Sequence, residues 1–337
     1  MKAAVYEAYG PPDVVQIREI AKPVPGDNEV LVKVHTTLVT SGDARMRAFD
    51  LPKLFRIPGR LMLGWPKPKK PVLGYSYSGT VEAVGGKVTD FKPGDDVLGG
   101  HVGGAHAEYD CVPTGKALVN KPAAMSFEAA ATLAFGPNTA LTFLRNAKVG
   151  SGTRILIIGA SGGVGTYAVQ IAKAWGAEVT GVCSTSKVHH VKAIGADHVI
   201  DYTQQKIASR GEQYDVIIDI GGNRTLTELR RALTPEGTLV IAGGETDGRW
   251  LGGTDRQIRA MLLSPFVSQK LGTFICAVNA EDLSVITNLI ESGTVNPVVD
   301  QIYPLSHAPT AIADLLAGQV RGKLAISVGD HESHSRN

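Results

Sequence analysis

The sequence has little cysteine, no excess charge of one sign and no long apolar run. Its 337 residues include three scattered cysteines, which argues against a disulfide framework and fits a reducing cytosol. A formal net charge of +2 gives no reason to expect nucleic acid as a partner. The uncharged stretch 129–144 is too short to span a bilayer, and Glu7 lies where a signal peptide needs apolar residues. We therefore expect a soluble, cytoplasmic protein.

The first 120 residues have the pattern of irregular β structure. Residues 29–35 alternate apolar and polar side chains at the period of a strand, and 79–85 and 96–99 are two further short strands. Between the last two, Lys92-Pro93-Gly94-Asp95 has turn-forming chemistry, because proline presets φ and glycine accepts positive φ. Short strands with long Pro/Gly connections indicate a partly open β-barrel.

From residue 154 onward the pattern changes to that of a doubly wound α/β domain. Runs that are apolar on both faces alternate with helix-length segments, as a parallel sheet covered on both sides requires. The runs are 155–158, 179–182, 216–218 and 238–241, with another strand predicted at 273–278 after a helix at 255–263. The helix after the first run is predicted to face the sheet with one stripe, Val164, Ala168, Ile171, Ala172 and Trp175. Beyond 278 the pattern predicts helix (283–291), strand (298–303), helix (308–317) and strand (324–328).

The strongest chemical signal lies between the first parallel strand and its helix. The segment 158–165 reads Ile-Gly-Ala-Ser-Gly-Gly-Val-Gly. Glycines let a backbone approach a pyrophosphate closely, and the following helix N-terminus presents unpaired N–H groups to the anion. The alternative is a tight strand–helix turn that binds nothing. The predicted dinucleotide contacts here are Gly159, Ser161, Gly162, Gly163, Val164 and Gly165.

The end of the second parallel strand distinguishes between cofactors. NAD-binding folds place an acid there for the ribose 2′-hydroxyl, whereas residues 181–187 contain no acid but offer Ser184, Thr185 and Lys187. Hydroxyls and a lysine suit a 2′-phosphate, which a carboxylate would repel. We therefore expect NADPH rather than NADH. Ser184 and Thr185 also fit the start of a capped helix, and both roles can hold together.

Three segments together resemble the medium-chain dehydrogenase/reductases, specifically the zinc-free quinone oxidoreductase (zeta-crystallin-like) branch. They are the glycine motif, the segment 73–81 and the turn 91–97. They occur in the same order as in the family, and the resemblance covers nearly the whole chain. The resemblance implies a GroES-like domain (1–125 and 280–337), a Rossmann NADPH-binding domain (126–279) and a nicotinamide cleft between them. It also implies a homodimer.

The resemblance also implies the absence of zinc. Zinc-containing members carry Gly-His-Glu where this chain has Gly74, Tyr75 and Ser76, and their cysteine ligands match Thr40 and a position near Phe135. None of these side chains is imidazole or thiolate, so no tetrahedral nitrogen and sulfur set remains. The cluster His101, His106, Glu108 and Cys111 lacks recognised ligand spacing and is interpreted as loop and strand polarity.

Further cofactor contacts follow from the resemblance alone. The lysine and tyrosine that grip the 2′-phosphate in this branch match Lys187 and Tyr202, although a half-buried aromatic at a strand end is the alternative for Tyr202. A nucleotide-contacting threonine matches Thr139. A glycine pair after the fifth strand matches Gly243 and Gly244.

Hydride transfer needs no protein nucleophile, so the catalytic candidates are hydrogen-bond donors near the nicotinamide. The family motif Asn-x-x-Asp-x-Tyr-x-Arg matches 40–47, with Thr40 in place of the asparagine and Arg45 in place of the tyrosine. Thr40, Arg45 and Tyr75 are the predicted catalytic residues. The structural alternatives are an Asp43–Arg47 ion pair that holds the segment, and simple packing for Tyr75.

Segment 49–70 combines six basic residues and one acid with many large apolar side chains. A lid or wall over the substrate cleft is the first interpretation, and a peripheral contact with acidic membranes is the second. For the whole chain, the leading hypothesis is NADPH-dependent reduction of a quinone or an α,β-unsaturated carbonyl. The alternatives are a trans-acting enoyl reductase of polyketide or fatty-acid assembly and an NADPH-binding structural or sensor protein, with a zinc alcohol dehydrogenase the poorest.

Overall fold

The computed structural model describes residues 1–115, 117–207, 211–243, 251, 254–274, 276 and 278–329. The strands in these residues are β1 Lys2–Tyr6, β2 Val15–Glu19, β3 Glu29–Val39, β4 Ser76–Val84, β5 Asp96–Gly100, β6 Tyr109–Pro113, β7 Ala117–Asn120, β8 Arg154–Ile158, β9 Glu178–Cys183, β10 His198–Asp201, β11 Tyr214–Asp219, β12 Leu233–Ile241, β13 Lys270–Gly272, β14 Val299–Pro304 and β15 Lys323–Ser327. The helices are α1 Ser41–Ala48, α2 Arg56–Leu63, α3 Phe127–Ala131, α4 Gly136–Asn146, α5 Gly165–Ala174, α6 Val188–Ala193, α7 Leu226–Arg231, α8 Thr254–Leu263, α9 Ala280–Glu291 and α10 Ala308–Leu316. None of these helices is long and apolar enough to cross a bilayer.

The first sheet is mostly antiparallel and contains both early and late parts of the chain. Its order is β14-β15-β3-β4-β5-β7, with β6 paired to β3, and only β14 and β15 run parallel to each other. Strand β3 extends to Val39, beyond the predicted 29–35, because its second half pairs with β15, with Leu324 opposite Val39. The return of the chain end to this sheet, which the family resemblance implied, is therefore present.

The second sheet is the parallel one that the apolar runs predicted. Its order is β10-β9-β8-β11-β12-β13, and all its neighbours are parallel. The reversal of order at β8 produces the crevice in which ligands bind in doubly wound sheets. Together the two sheets confirm the predicted fold class, a GroES-like barrel domain with a Rossmann-type domain.

The predicted strand at 273–278 was wrong in position. The last parallel strand is β13, three residues long and ending at Gly272, and residues 275 and 277 lie outside the described part of the chain. The chain leaves the sheet after Gly272, because Phe274 packs against Phe143 of α4, with ring centroids 6.5 Å apart. The apolar side chain of Phe274 therefore packs on a helix rather than on a neighbouring strand.

Helix α5 is buried on every side rather than along the single predicted stripe. All residues from Gly165 to Ala172 are buried. One side covers the parallel sheet, while the Tyr167 hydroxyl donates to Thr132 Oγ1 at 2.6 Å and Gln170 Nε2 donates to the Asn296 carbonyl at 3.1 Å. The helix that follows the glycine motif is therefore fixed from both sides.

Helix α9 packs against the parallel-sheet side of the molecule. Its buried Leu283 and Ile286 belong to the same apolar cluster as the core of α4 and α5. Strands β14 and β15, by contrast, complete the first sheet. The predicted division at residues 126 and 280 stays a prediction.

Candidate functional site

The glycine-rich loop lies at the carboxyl end of β8 and runs into α5. Gly159 has φ of 87°, a conformation that suits glycine. A methyl group on Gly165 would lie 2.1 Å from the Gly159 carbonyl oxygen, so close packing also demands glycine there. At Gly162 the nearest atom, the same oxygen, would be 3.5 Å away. The fold itself therefore leaves room at Gly162, on a loop suited to an approaching dinucleotide.

The segment before β15 docks on this loop. The Ser161 carbonyl oxygen accepts the backbone N–H of Gly322 at 3.0 Å. Val164 is the residue before α5, and its side chain makes no hydrogen bond that caps the helix. The loop is thus held by the first sheet as well as by its own.

Lys187 holds the same segment. Its Nζ donates to the carbonyl oxygens of Gly318 and Val320, each at 2.8 Å. Partial burial lowers the pKa of the lysine. The residue predicted to bind a 2′-phosphate is thus close to the crevice, and in this structure its donors are directed to protein oxygens.

The hydroxyls after β9 are arranged around an acid from the next strand. Thr185 Oγ1 donates to Asp201 Oδ2 at 2.6 Å, and Thr203 donates to Asp201 Oδ1 through both its hydroxyl and its N–H. The Thr185 hydroxyl bond is the first cause of a lowered pKa at Asp201. Ser184 makes no capping hydrogen bond with its side chain. Sequence reasoning missed this acid because it belongs to β10, which is beside β9 in space.

Tyr202 is half exposed and has a cation above it. The Arg224 guanidinium lies 6.0 Å from the tyrosine ring centroid, and Arg224 also pairs with Glu228 at 3.6 Å. No sequence signal pointed to Arg224, which follows β11 and comes near Tyr202 only through the strand order. The exposed ring is available for stacking.

The remaining predicted cofactor contacts lie on α4 and after β12. Thr139 is half-buried, and its hydroxyl donates to the Phe135 carbonyl at 2.8 Å. A methyl group on Gly243 would lie 2.2 Å from the Ile220 carbonyl oxygen, so packing explains this glycine. Gly244 lies outside the described residues.

Thr40 and Asp43 form a capping box at the start of α1. The Thr40 hydroxyl donates to Asp43 Oδ2 at 2.6 Å and accepts the Asp43 N–H at 3.2 Å, while the second carboxylate oxygen accepts the Gly74 N–H at 2.9 Å. The hydroxyl proton of Thr40 is therefore directed at Asp43.

The expected ion pair between Asp43 and Arg47 was wrong. Arg47 is buried, but its Nη1 donates to the Gly10 carbonyl. Asp43 is turned back to the helix start, where its oxygens cap backbone and hydroxyl donors, so the two side chains point to different partners. Arg45, on the same helix, is exposed.

Tyr75 is half-buried beside Phe135. The two rings meet edge to face, with centroids 5.3 Å apart. Burial raises the pKa of the Tyr75 hydroxyl above its ordinary value, at which the group is already protonated at neutral pH. Within the described residues the hydroxyl has no hydrogen-bond partner in the protein, so it is a donor available to a ligand.

Lys323 is the principal residue that sequence reasoning missed. It is 6% exposed, and burial lowers its pKa to about 8. Its Nζ lies 5.7 Å from the centroid of the Phe135 ring. In the sequence nothing distinguishes it from any other lysine that precedes an apolar run. Only the pairing of β15 with β3 brings it to the glycine loop.

No metal cluster forms among the residues that the structure describes, where no group of three His, Cys, Asp or Glu side chains could hold an ion. His101 Nε2 instead pairs with Asp110 Oδ2 at 2.6 Å, and His106 Nε2 lies 3.0 Å from the Leu38 carbonyl oxygen. Both histidines have structural partners.

Segment 49–70 forms a short 3-10 turn and α2 on the first sheet's side. The Arg60 guanidinium covers the rings of Tyr9 and Phe49 at 4.4 and 4.2 Å. Large apolar side chains nevertheless remain exposed, namely Leu54, Phe55, Ile57, Leu61, Met62 and Trp65. The helix is thus amphipathic with an uncovered apolar face.

Comparisons with known proteins agree with this architecture. The model for the alcohol dehydrogenase GroES-like domain matches residues 26–123, and that for a zinc-binding dehydrogenase matches 194–326. The chain is 31% identical to mouse mitochondrial NAD(P)H oxidoreductase RTN4IP1, over 97% of this chain and 89% of the relative. It is also 31% identical to a chloroplastic NADPH-dependent alkenal/one oxidoreductase from Arabidopsis thaliana, over 97% and 79%. The structure of the Coxiella burnetii quinone oxidoreductase superposes with a TM-score of 0.84 at 27% identity, over 98% of this chain and 99% of that one.

Proposed function

The chain belongs to the quinone oxidoreductases of the medium-chain dehydrogenase/reductase superfamily, and on that premise we propose that it uses NADPH to reduce a quinone or an α,β-unsaturated carbonyl without zinc. The observation that carries this proposal is the glycine loop, which leaves space at Gly162 and is bordered by the buried ammonium of Lys323. When bound, the reduced nicotinamide supplies a hydride. The chain's own residues bind the dinucleotide and polarise the acceptor.

NADPH is preferred over NADH because the adenosine end of the crevice carries cations. Arg224 lies over the ring of Tyr202, Lys187 follows the hydroxyls of Ser184 and Thr185 in the chain, and the carboxylate of Asp201 accepts from threonine donors. A 2′-phosphate gains from cations and hydroxyls, whereas an uncompensated acid would repel it.

Tyr75 is the proposed donor to the acceptor's oxygen. Its hydroxyl is protonated at neutral pH, as an ordinary tyrosine is, and burial raises its pKa further; it is directed to no other described residue. A neutral donor held beside an apolar ring stabilises the negative charge that develops on an enolate or hydroquinone oxygen. Arg45 is exposed on α1 and Thr40 donates within its capping box, so Tyr75 is the better placed of the three predicted catalytic residues.

The decisive experiment is stopped-flow oxidation of NADPH with 2-alkenals, enones and 1,2- and 1,4-quinones. Turnover with at least one of these classes is expected, and no turnover with any of them would overturn the reductase proposal. Tyr75→Phe should lower kcat roughly 100- to 1000-fold, as expected for losing one donor to a developing oxyanion. Zinc independence predicts equal rates before and after dialysis against a chelator, with metal analysis as the check.

The uncovered apolar face of α2 supports a role for segment 49–70 as a wall that holds an apolar acceptor. Contact with an acidic membrane is the second prediction, since basic residues accompany the exposed apolar side chains. Flotation with vesicles containing phosphatidylserine separates the two, because only the membrane contact predicts binding that salt abolishes. A homodimer and a cytoplasmic location stay predictions, to be checked by light scattering and by fractionation.

A further inference from the structure

A buried ion pair lies at the carboxyl end of the parallel sheet, outside the residues that the sequence predicted for cofactor and catalysis. Asp219 ends β11 and is fully buried, and its Oδ2 accepts a hydrogen bond from Nη2 of Arg256. Arg256 is 7% exposed and lies in the first turn of α8, the helix after β12. The pair thus connects the end of a central strand to a neighbouring helix.

The acid of this pair joins the turns that follow β11 and β12. Asp219 Oδ1 accepts the N–H of Gly222 at 3.1 Å and so closes the first turn. The backbone carbonyl oxygen of Asp219 accepts the N–H groups of Ala242 at 2.9 Å and of Gly243 at 3.2 Å. Because Arg256 holds the carboxylate, both turns are connected to one ion pair.

These turns border the half of the crevice that the nicotinamide is expected to occupy. In a doubly wound sheet the dinucleotide crosses the point where the strand order reverses, with one nucleotide on each side. The predicted adenosine contacts follow β9, on one side of β8, whereas β11 and β12 lie on the other side. The turn after β11 also contacts the end of β8, because the N–H groups of Ile220 and Gly221 donate to the Ile158 carbonyl at 3.0 and 3.3 Å. A shift of this turn would therefore change the surface next to the nicotinamide.

The pair is poorly suited to a purely stabilising role. The Nε and Nη1 atoms of Arg256 are buried and have no hydrogen-bond partner within the part of the chain that the structure describes. Buried donors without partners are costly, and apolar side chains of similar volume often replace a buried ion pair without loss of stability. What the pair does supply is a fixed geometry, because charge and hydrogen bonds set the place of Asp219 and of the two turns attached to it.

We propose that Asp219 and Arg256 are positioning residues, which hold the turns 220–222 and 242–243 in the arrangement that hydride transfer requires. This inference rests on the proposed function, because hydride transfer is the reaction that the pair serves. The predicted adenosine and pyrophosphate contacts lie at β8 and β9, so the pair should affect the rate of transfer far more than the affinity for NADPH. Small misplacements of reacting groups lower a rate steeply while most binding contacts remain.

The test compares Arg256→Met with the double variant Asp219→Leu/Arg256→Met. The single variant leaves a buried carboxylate without its cation and should be less stable than wild type in urea. The double variant removes both charges and should regain wild-type stability or exceed it. Its single-turnover hydride transfer, followed by stopped flow with NADPH and with NADPH deuterated at C4, should nevertheless stay roughly 10- to 100-fold slower than wild type. Its dissociation constant for NADPH, from fluorescence titration, should change much less than this rate.

Two further variants complete the comparison. Arg256→Lys keeps a cation for Asp219, so it should transfer hydride faster than Arg256→Met. Arg259→Met is the matched control, because Arg259 is an exposed arginine on the same helix that pairs with Asp255 at 3.4 Å. The control should change neither stability nor the rate of transfer.

Amide hydrogen exchange of the ligand-free proteins provides a readout that needs no cofactor. Peptides that contain 219–222 and 241–243 should exchange faster in the double variant and in Arg256→Met than in wild type. Wild-type exchange in these peptides, wild-type hydride transfer in the folded double variant, or equal rates for the lysine and methionine variants would each overturn the proposal. A loss of NADPH affinity as large as the loss of rate would also overturn it. Failure of the wild type to reduce any acceptor would instead overturn the proposed function, and the exchange measurement would still decide whether the pair holds the turns.

Discussion

The backbone N–H of Gly322 donates to the carbonyl oxygen of Ser161 at 3.0 Å. This bond joins the residue before β15 to the middle of the glycine-rich loop. Lys187 holds Gly318 and Val320 nearby, and the Lys323 side chain covers Gly163. Segment 318–323 is thus bonded to the glycine loop through Gly322 and to the turn after β9 through Lys187, so we expect changes at this segment to alter dinucleotide affinity.

Gly162→Ala should leave the ligand-free protein folded and impair NADPH binding. The new methyl group would meet no protein atom closer than 3.5 Å, but it would occupy space over which the pyrophosphate approaches. Gly165→Ala is the matched contrast, because its methyl group would lie 2.1 Å from a backbone oxygen and should destabilise the fold itself. Thermal unfolding and NADPH titration of both variants check this. Wild-type affinity in Gly162→Ala would show that the loop does not contact the dinucleotide there.

Lys187→Ala should weaken NADPH far more than NADH if the lysine binds the 2′-phosphate. It should also lower the free energy of unfolding by about 1–3 kcal/mol, because two charged hydrogen bonds to backbone carbonyls are lost. Lys192→Ala, an exposed lysine on α6, is the control and should change neither quantity. Dissociation constants for both nucleotides and urea unfolding provide the measurements. Equal losses for NADPH and NADH would mean that the lysine serves only to hold segment 318–320.

Thr40→Val should lower the free energy of unfolding by about 1–2 kcal/mol, whereas Thr40→Ser should change it little. The reason is the capping box, in which the hydroxyl accepts the Asp43 N–H and donates to its carboxylate. Urea unfolding of the three proteins at one pH measures the difference. Equal stability of the valine and serine variants would contradict the capping role.

Lys323→Met should make the ligand-free protein more stable at pH 7. The unfolded lysine is protonated below its ordinary pKa of 10.5 and the folded one only below about 8, so the cost grows as the pH falls from 10.5 to 8 and is complete below 8. The shift corresponds to about 3 kcal/mol. Urea unfolding at pH 7 and pH 10 should therefore show a difference between wild type and variant that shrinks at the higher pH. A wild type as stable as Lys323→Met at pH 7 would mean that the ammonium already has a counterion.

The parts of the site that are local in sequence could be predicted, and the parts built by strand order could not. The glycine loop was recognisable because strand, turn and helix follow one another directly in 158–165. Asp201 comes near Thr185 only through the order of the parallel strands, and so does Arg224 near Tyr202. Lys323 depends on the pairing of β15 with β3, which only the family resemblance implied.

The failure at Asp43 and Arg47 has a related cause. Their spacing of four residues on one helix favours an ion pair, but Asp43 lies in the first turn, where free backbone N–H groups compete for its oxygens. The strand predicted at 273–278 is not found at its described residues, where Phe274 packs on a helix. In both cases a local pattern had two physical explanations, and tertiary contacts selected between them.

The attachment of Lys323 to the glycine loop also imposes an order on biosynthesis. The ribosome completes the whole parallel sheet before it reaches residue 323, so a nascent chain can fold its nucleotide loop while lacking this positive charge. The glycine loop of such a chain lacks its contact with segment 318–323 until the last strand has joined the first sheet.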